Sequence, residues 1–484
     1  MSSLHDLTAT EQAAAIRAGT LSPVELTAHY LERTDRLDAE LGAYLTVTPE
    51  LARKQASDAE AEAMAARRAG RADALPPLHG VPVPVKDLNH VAGVRTTMGS
   101  AAFSGHVPDR DDHVAARLRA GGSPMIAKSN TPEFGIPCYT ENLLAPPART
   151  PWDLARSAGG SSGGAAAAVA GGLAPVAHAS DGGGSVRIPA SACGLVGVKP
   201  SRGRVSSGPA QHDVAGLATS GPLARTVADA ATLLDVLAGR MPGDPYTAPP
   251  LADGDTFAAW ADPARVPGRL RVLALAGTPV PEIAPHPECA AAARGTAELL
   301  RDLGHEVEEA ELPADDSMRA AFSTVWAVRA ASRPVPEECE GLLTPLTRFI
   351  RERGRAIPAP DFVRALSTFR SVAQLLADTL LAPGTGYDVI LSPTLAQPPM
   401  AVGALRDDED PAGEFERFAR FTPFTPLYNA TGQPAVSLPL HWTDEGLPIG
   451  VMLGGRHGEE GPLLALSAQL EEARPWRNRR PAMW

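Results

Sequence analysis

The chain has 484 residues, 44% hydrophobic and 21% charged, a balance that can bury a large core and that excludes a disordered protein. Its 44 basic and 56 acidic residues give a net charge of −12, which argues against nucleic acid or an anionic membrane surface as the main partner. Glycine (45) and proline (47) are frequent but below the share that marks low complexity.

Residues 1–75 read as an N-terminal helical layer. Thr8-x-x-Glu11 forms a capping box, Ser22-Pro23 pairs an N-cap with proline at the first helical position, and Thr48-Pro49 repeats that pattern. From about residue 78 short apolar runs alternate with Gly-rich turns: VPVPVKD (81–87), SPMIAKSN (123–130), LAPVAHAS (173–180) and CGLVGVKP (193–200). Helical stretches lie between them at 111–121 and 164–171. Strands interleaved with helices predict a layered α/β fold. Further along, 226–238 reads as an amphipathic helix, 269–277 as a strand and 287–304 as a helix. The motif-poor region 310–380 reads as mostly helical, within a variable layer (245–380) around a substrate pocket. YDVILSPT (387–394), PAVSLPL (434–440) and LPIGVMLGG (447–455) return to strand texture, 403–416 reads as a surface loop, and a last helix spans 461–473.

Cys138, Cys193, Cys289 and Cys339 show no CxxC and no zinc spacing, so free thiols, a reducing cytoplasm and no metal are expected. The first residues, MSSLHDLTATEQ, carry neither a basic nor an apolar leader, and no run of 18 apolar residues occurs.

The densest chemistry lies in SAGGSSGGAAAAVAGGLAPVAHASDGGGSVRIPAS (157–191). GGSSGG alone reads as a flexible linker or as the start of the Ala-rich helix that follows. DGGGS lets consecutive backbone N–H groups converge as an anion nest, and its closing serine, Ser185, can be a nucleophile held by those amides. A serine nucleophile needs a base. His178 lies in an apolar run, where a core role competes with catalysis. Only four basic residues are lysine (Lys54, Lys86, Lys128 and Lys199), and lysine, unlike arginine, can lose its proton when buried. Lys86 follows VPVPV and would be carried inward as a base, or as a buried cation paired with Asp87 or another carboxylate.

These motifs resemble the amidase signature family of amide hydrolases. The resemblance rests on GGSSGGAAAAVA from Gly159, on DGGGSVRIPA from Asp181, and on GVPVPVKD (80–87), AKSNTPEFG (127–135), TPWDLARSAGG (150–160), GLVGVKPSRGRVS (194–206), SGPLARTVADAA (220–231) and GQPAVSLPL. It covers about 75–235 and 387–475, with 245–380 matched only loosely. Within the family, PVAH at 175–178 and the stretch 287–295 are similar to 6-aminohexanoate cyclic dimer hydrolases.

The resemblance implies an α/β/α amidase signature domain (76–484) with a large mixed sheet covered by helices. It implies Ser185 as nucleophile, Ser161 as a bridging serine after a cis peptide bond, and Lys86 as the base. The N–H groups of Gly182, Gly183, Gly184 and Ser185 would form the oxyanion hole. Asp181 and Arg187 are expected to stabilise the nucleophile loop, Ser162 to support the triad or cap its helix, and Cys138 or Tyr139 to line the pocket. Cys193 is expected in the core, Lys128 and Lys199 in structural contacts, and Lys54 on the surface.

The activity implied is hydrolysis of a small uncharged amide without a cofactor, with nylon-oligomer, anilide or carbamate bonds in range and a homodimer left open. A glutaminase-type subunit of an amidotransferase and an inactive binding relative are the alternatives.

Overall fold

The computed structural model describes residues 3–280, 282–311 and 316–484. Among the described residues eleven strands form two sheets. β1 (Tyr44–Val47), β2 (Val85–Lys86) and β3 (Ala127–Ser129) make a small sheet in the order β1-β3-β2. The large sheet contains β4 (Val176–Asp181), β5 (Val196–Lys199), β6 (Thr219–Ala224), β7 (Arg271–Leu275), β8 (Glu306–Ala310), β9 (Val389–Pro393), β10 (Ala435–Trp442) and β11 (Pro448–Gly454). Its order is β4-β6-β5-β10-β11-β9-β7-β8, antiparallel from β4 through to β9 and parallel across β9, β7 and β8. This is the expected α/β fold with a large mixed sheet flanked by helices.

The apolar runs become strands because Val, Ile and Leu suit a pleated, covered surface. Val198, Leu391, Val436 and Val451 are all buried in the main core. The Ala-rich segment becomes the helix Gly163–Ala170, every residue of which is buried. A helix apolar on all sides has no solvent face to keep, and small side chains let it lie close under the sheet. The carbonyl of Pro84 accepts from the N–H of His178 at 3.1 Å, so β2 lies beside β4. Among the described residues no helix is long and apolar enough to cross a membrane.

Three readings need correction. The stretch 1–75 is not all helix: β1 interrupts it between Pro23–Leu41 and Pro49–Arg68. Thr8 and Ser22 cap their helices as expected, whereas the Thr48 hydroxyl donates to the carbonyl of Met125 at 2.9 Å and caps nothing. The segment 403–416 is a loop only at first, because the helix Pro411–Phe421 begins inside it, with the Asp410 side chain accepting from the N–H of Gly413. β6 was not evident as a strand, since TSGPLA carries Gly and Pro and no alternation. In 310–380 the helices Asp316–Ala331, Pro345–Arg355 and Ala359–Asp378 occupy most of the chain.

Candidate active site

Lys86 ends β2 with its side chain fully buried. Its Nζ donates to Ser161 Oγ at 2.9 Å and to the carbonyl of Ser180 at 3.3 Å. Successive side chains on a strand point to opposite faces, so Asp87 faces away from this contact. The Asp87 carboxylate accepts from Lys128 Nζ at 2.8 Å and from the N–H and hydroxyl of Thr97 at 2.8 and 2.6 Å. The ion pair of Asp87 is therefore with Lys128, and among the described residues Lys86 has no carboxylate within ion-pair distance. Burial pulls the Lys86 ammonium down to about 7, with the Asp181 carboxylate opposing the shift and Arg333 adding to it.

His178 braces this strand end. Its Nδ1 accepts from the Lys86 N–H at 3.3 Å and its Nε2 lies 3.0 Å from Ser220 Oγ. Burial, then Lys86 and Lys128, lowers its pKa to about 3, so it stays neutral. A backbone acceptor role on β4 settles its two readings in favour of the core.

Ser161 follows a cis peptide bond from Gly160, and Ser162 stands at the N-cap of the buried Ala helix. Ser162 makes no capping bond. Its hydroxyl donates to the carbonyl of Ser180 at 3.2 Å, the same carbonyl that receives Lys86.

The nucleophile loop leaves β4 at Asp181. Arg187 grips that carboxylate with Nε at 3.0 Å and Nη2 at 2.9 Å, both residues being fully buried. Burial alone would raise the Asp181 pKa; Arg187, Lys199 and the Asn429 amide outweigh it and hold the carboxyl well below the usual range. Three carbonyls of the loop are held from behind. Asp181 O accepts from Asn429 Nδ2 at 2.9 Å, Gly183 O from Thr425 Oγ1 at 2.6 Å, and Gly184 O from the N–H of Ile188 at 2.7 Å. In a trans peptide the C=O and the following N–H point in opposite directions. The N–H groups of Gly182 and Ser185 are thereby turned away from Asn429 and Ile188. Among the described residues neither they nor the N–H of Gly183 make a hydrogen bond. The N–H of Gly184 instead donates to Asp181 Oδ1 at 2.7 Å, so it is committed to loop closure and removed from the expected oxyanion set. Gly184 also has φ +131°, and a Cβ there would meet Thr425 Oγ1, so only glycine fits.

Ser185 is buried and lines a cavity of about 630 Å³. Gly183, Ile136, Cys138, Phe322, Trp326, Leu376 and Phe418 are among its mostly apolar walls. Cys138 lines the cavity, its thiol pushed up by burial. Tyr139 does not: it is buried with its hydroxyl donating to Glu414. Cys193 is buried in the Ala-rich core, and Lys54 is exposed in an ion pair with Asp58 at 2.7 Å. Lys199 is buried, its Nζ donating to the carbonyl of Pro200 at 3.0 Å.

Sequence reasoning missed Thr425, Asn429, Phe322 and Trp326. Thr425 and Asn429 lie about 240 residues from the loop that they hold (248 for Asn429 to Asp181), with no motif to link them. The wall residues need only be apolar, so no spacing marks them.

The Amidase family pattern matches residues 25–464. The chain is similar to 6-aminohexanoate-cyclic-dimer hydrolase of Paenarthrobacter ureafaciens, 37% identical over 501 aligned positions that cover 98% of this chain and 96% of that protein. An acylamidase of Rhodococcus erythropolis is 32% identical, with 99% of this chain and 98% of that protein covered. Among solved structures, that of 6-aminohexanoate cyclic dimer hydrolase complexed with substrate superposes with a TM-score of 0.87 at 35% identity, covering 99% of this chain and 100% of the other.

Proposed function

The chain belongs to the Amidase family of hydrolases, and from that premise we propose that it hydrolyses a carboxylic amide through an acyl-enzyme on Ser185, with Ser161 and Lys86 as proton relay and base. The observation that carries this reading is the contact from Lys86 Nζ to Ser161 Oγ, made by a buried lysine with no carboxylate partner among the described residues and pulled by burial to about 7. Neutral Lys86 takes a proton from Ser161 along that line while Ser161 takes the proton of Ser185. Ser185 Oγ attacks the amide carbonyl carbon, and the resulting oxyanion accepts from the N–H groups of Gly182, Gly183 and Ser185. The proton returns through Ser161 to the amine, the C–N bond breaks, and water then cleaves the acyl ester by the same relay. The Ser161–Ser185 contact is not among the hydrogen bonds of the described residues; catalytic contacts of this kind commonly tighten only with substrate in place.

The substrate class is a small amide whose uncharged part lodges in the apolar cavity, with nylon-oligomer, anilide and carbamate bonds in range. The 6-aminohexanoate-cyclic-dimer hydrolase and the acylamidase support the nylon-oligomer and acyl-amide part of this range. Labelling with a fluorophosphonate probe tests the reading, because only an activated serine reacts. The wild-type protein should label at Ser185 and hydrolyse members of an amide panel, and Ser185→Ala should do neither. Lys86→Arg keeps the charge and removes the base; substantial turnover in that variant would overturn the assignment.

A further inference from the structure

Helix Asp316–Ala331 and the turn after it bring two arginines to the edge of the site. Arg329 Nη1 lies 3.6 Å from the point where a Cβ on Gly182 would stand, and its Nε is paired with Asp213 Oδ1 at 3.2 Å. Arg333 lies over the ring of Phe134, 5.5 Å from its centroid. The residue after Phe134 is Gly135, where a Cβ would stand 3.1 Å from Ser161 Oγ. One guanidinium therefore stands beside the nucleophile loop and the other beside the segment that faces the bridging serine.

Arg333 differs from the six buried arginines. Arg187, Arg204 and Arg351 are paired with carboxylates, and Arg33, Arg202 and Arg225 donate to backbone carbonyls. For the half-buried Arg333, the one hydrogen-bond acceptor among the described residues is the thioether of Met98, at 4.0 Å. Its nearby acid, Asp213, is committed to Arg329. Partly withdrawn from water, its guanidinium loses hydration that no carboxylate replaces. Burial, then repulsion by Arg329, lowers the Arg333 pKa only to about 10, so the fork stays charged at neutral pH. A planar guanidinium with free N–H groups suits a carboxylate bound in bidentate fashion.

We propose that Arg333, with Arg329 beside it, binds a carboxylate of the substrate, so that the preferred amides carry an apolar group on one side of the scissile C–N bond and a free carboxylate on the other. Neither arginine lines the apolar cavity, which leaves the cavity to the uncharged part. The inference rests on the amide-hydrolase reading for its reaction, but not for its binding site.

The test separates the two. Ser185→Ala protein is titrated calorimetrically with N-hexanoyl derivatives of glycine, 4-aminobutyrate and 6-aminohexanoate, with N-hexyl monoamides of dicarboxylic acids, and with the matched alcohol of each. At least one acid should bind tenfold or more tighter than its alcohol. Adding Arg333→Gln should collapse that preference, and Arg333→Lys should restore part of it. Equal affinity for acid and alcohol, no binding of either, or a preference that survives Arg333→Gln overturns the proposal. Turnover by the wild-type protein is measured separately on the same compounds. Binding without turnover counts against the amide-hydrolase reading and leaves the carboxylate site standing.

Discussion

Lys86 and Lys128 are both fully buried, and their partners divide their roles. Lys128 Nζ has three acceptors at 2.8 Å, Asp87 Oδ1, the carbonyl of Asn89 and Thr96 Oγ1, which match the three donors of an ammonium. A planar guanidinium does not fit that set, which explains a lysine there in a chain that otherwise uses arginine. Lys128→Met should destabilise the fold by roughly 3–5 kcal/mol, because Asp87 is left buried and unpaired; a urea midpoint unchanged from wild type would contradict this. Lys86 has a hydroxyl and a carbonyl instead, and burial holds it near 7. The base is the neutral form, so kcat/KM should rise as pH increases through about 7 and fall below it as Lys86 gains its proton. The apparent value belongs to the Lys86, Ser161 and Ser185 unit rather than to one residue. Because Arg333 repels the charged form of Lys86, Arg333→Gln should move that limb to higher pH, and a limb that stays put would show that its charge is not felt there.

At the scale of elements, the nucleophile loop depends on the short helix Pro426–Thr431 and the residue before it. Thr425 and Asn429 hold two carbonyls whose peptides also carry N–H groups of the loop, and Arg187 links both, donating to Thr425 O at 2.9 Å and Asn429 Oδ1 at 2.8 Å. Loss of one oxyanion donor typically costs ~10²–10³ in rate. Thr425→Val frees the Gly183 carbonyl and with it the Gly184 N–H that closes the loop on Asp181, so the flanking oxyanion donors lose alignment; kcat should fall by about tenfold with KM little changed, and Thr425→Ser should recover most of it. A variant that raises KM alone would show that Thr425 acts on substrate binding. This support was not legible in the sequence, since an Asn in a six-residue helix and the Thr before it carry no period and their partners lie 248 and 242 residues away. The Val-rich strands and capped helices were legible, because burial on a pleated face and the first unpaired N–H groups of a helix each select residue types. β6 was hidden because its sheet neighbours, not its residues, make it a strand.

For the molecule as a whole, the three proposed triad residues were legible because each stands in a motif that its chemistry constrains: an apolar strand end, a glycine-rich helix start and a glycine nest. The cavity was not. Besides the nucleophile loop at 183–188, its walls come from five distant stretches, around 136–138, 279–280, 318–326, 372–380 and 415–427, which need only be mostly apolar and of suitable size. That same indifference predicts how the cavity selects substrates. With few polar groups to satisfy, it should reward apolar length: each buried methylene is worth ~0.8 kcal/mol, about fourfold in kcat/KM. The gain should continue along a series of unbranched amides until the roughly 630 Å³ is filled, and then level off. Ala419 lies on the wall, and Ala419→Trp should move the plateau to shorter chains by taking up cavity space. A wild-type profile that is flat with chain length, or a plateau that Ala419→Trp leaves in place, would mean that the apolar part of the substrate lies elsewhere.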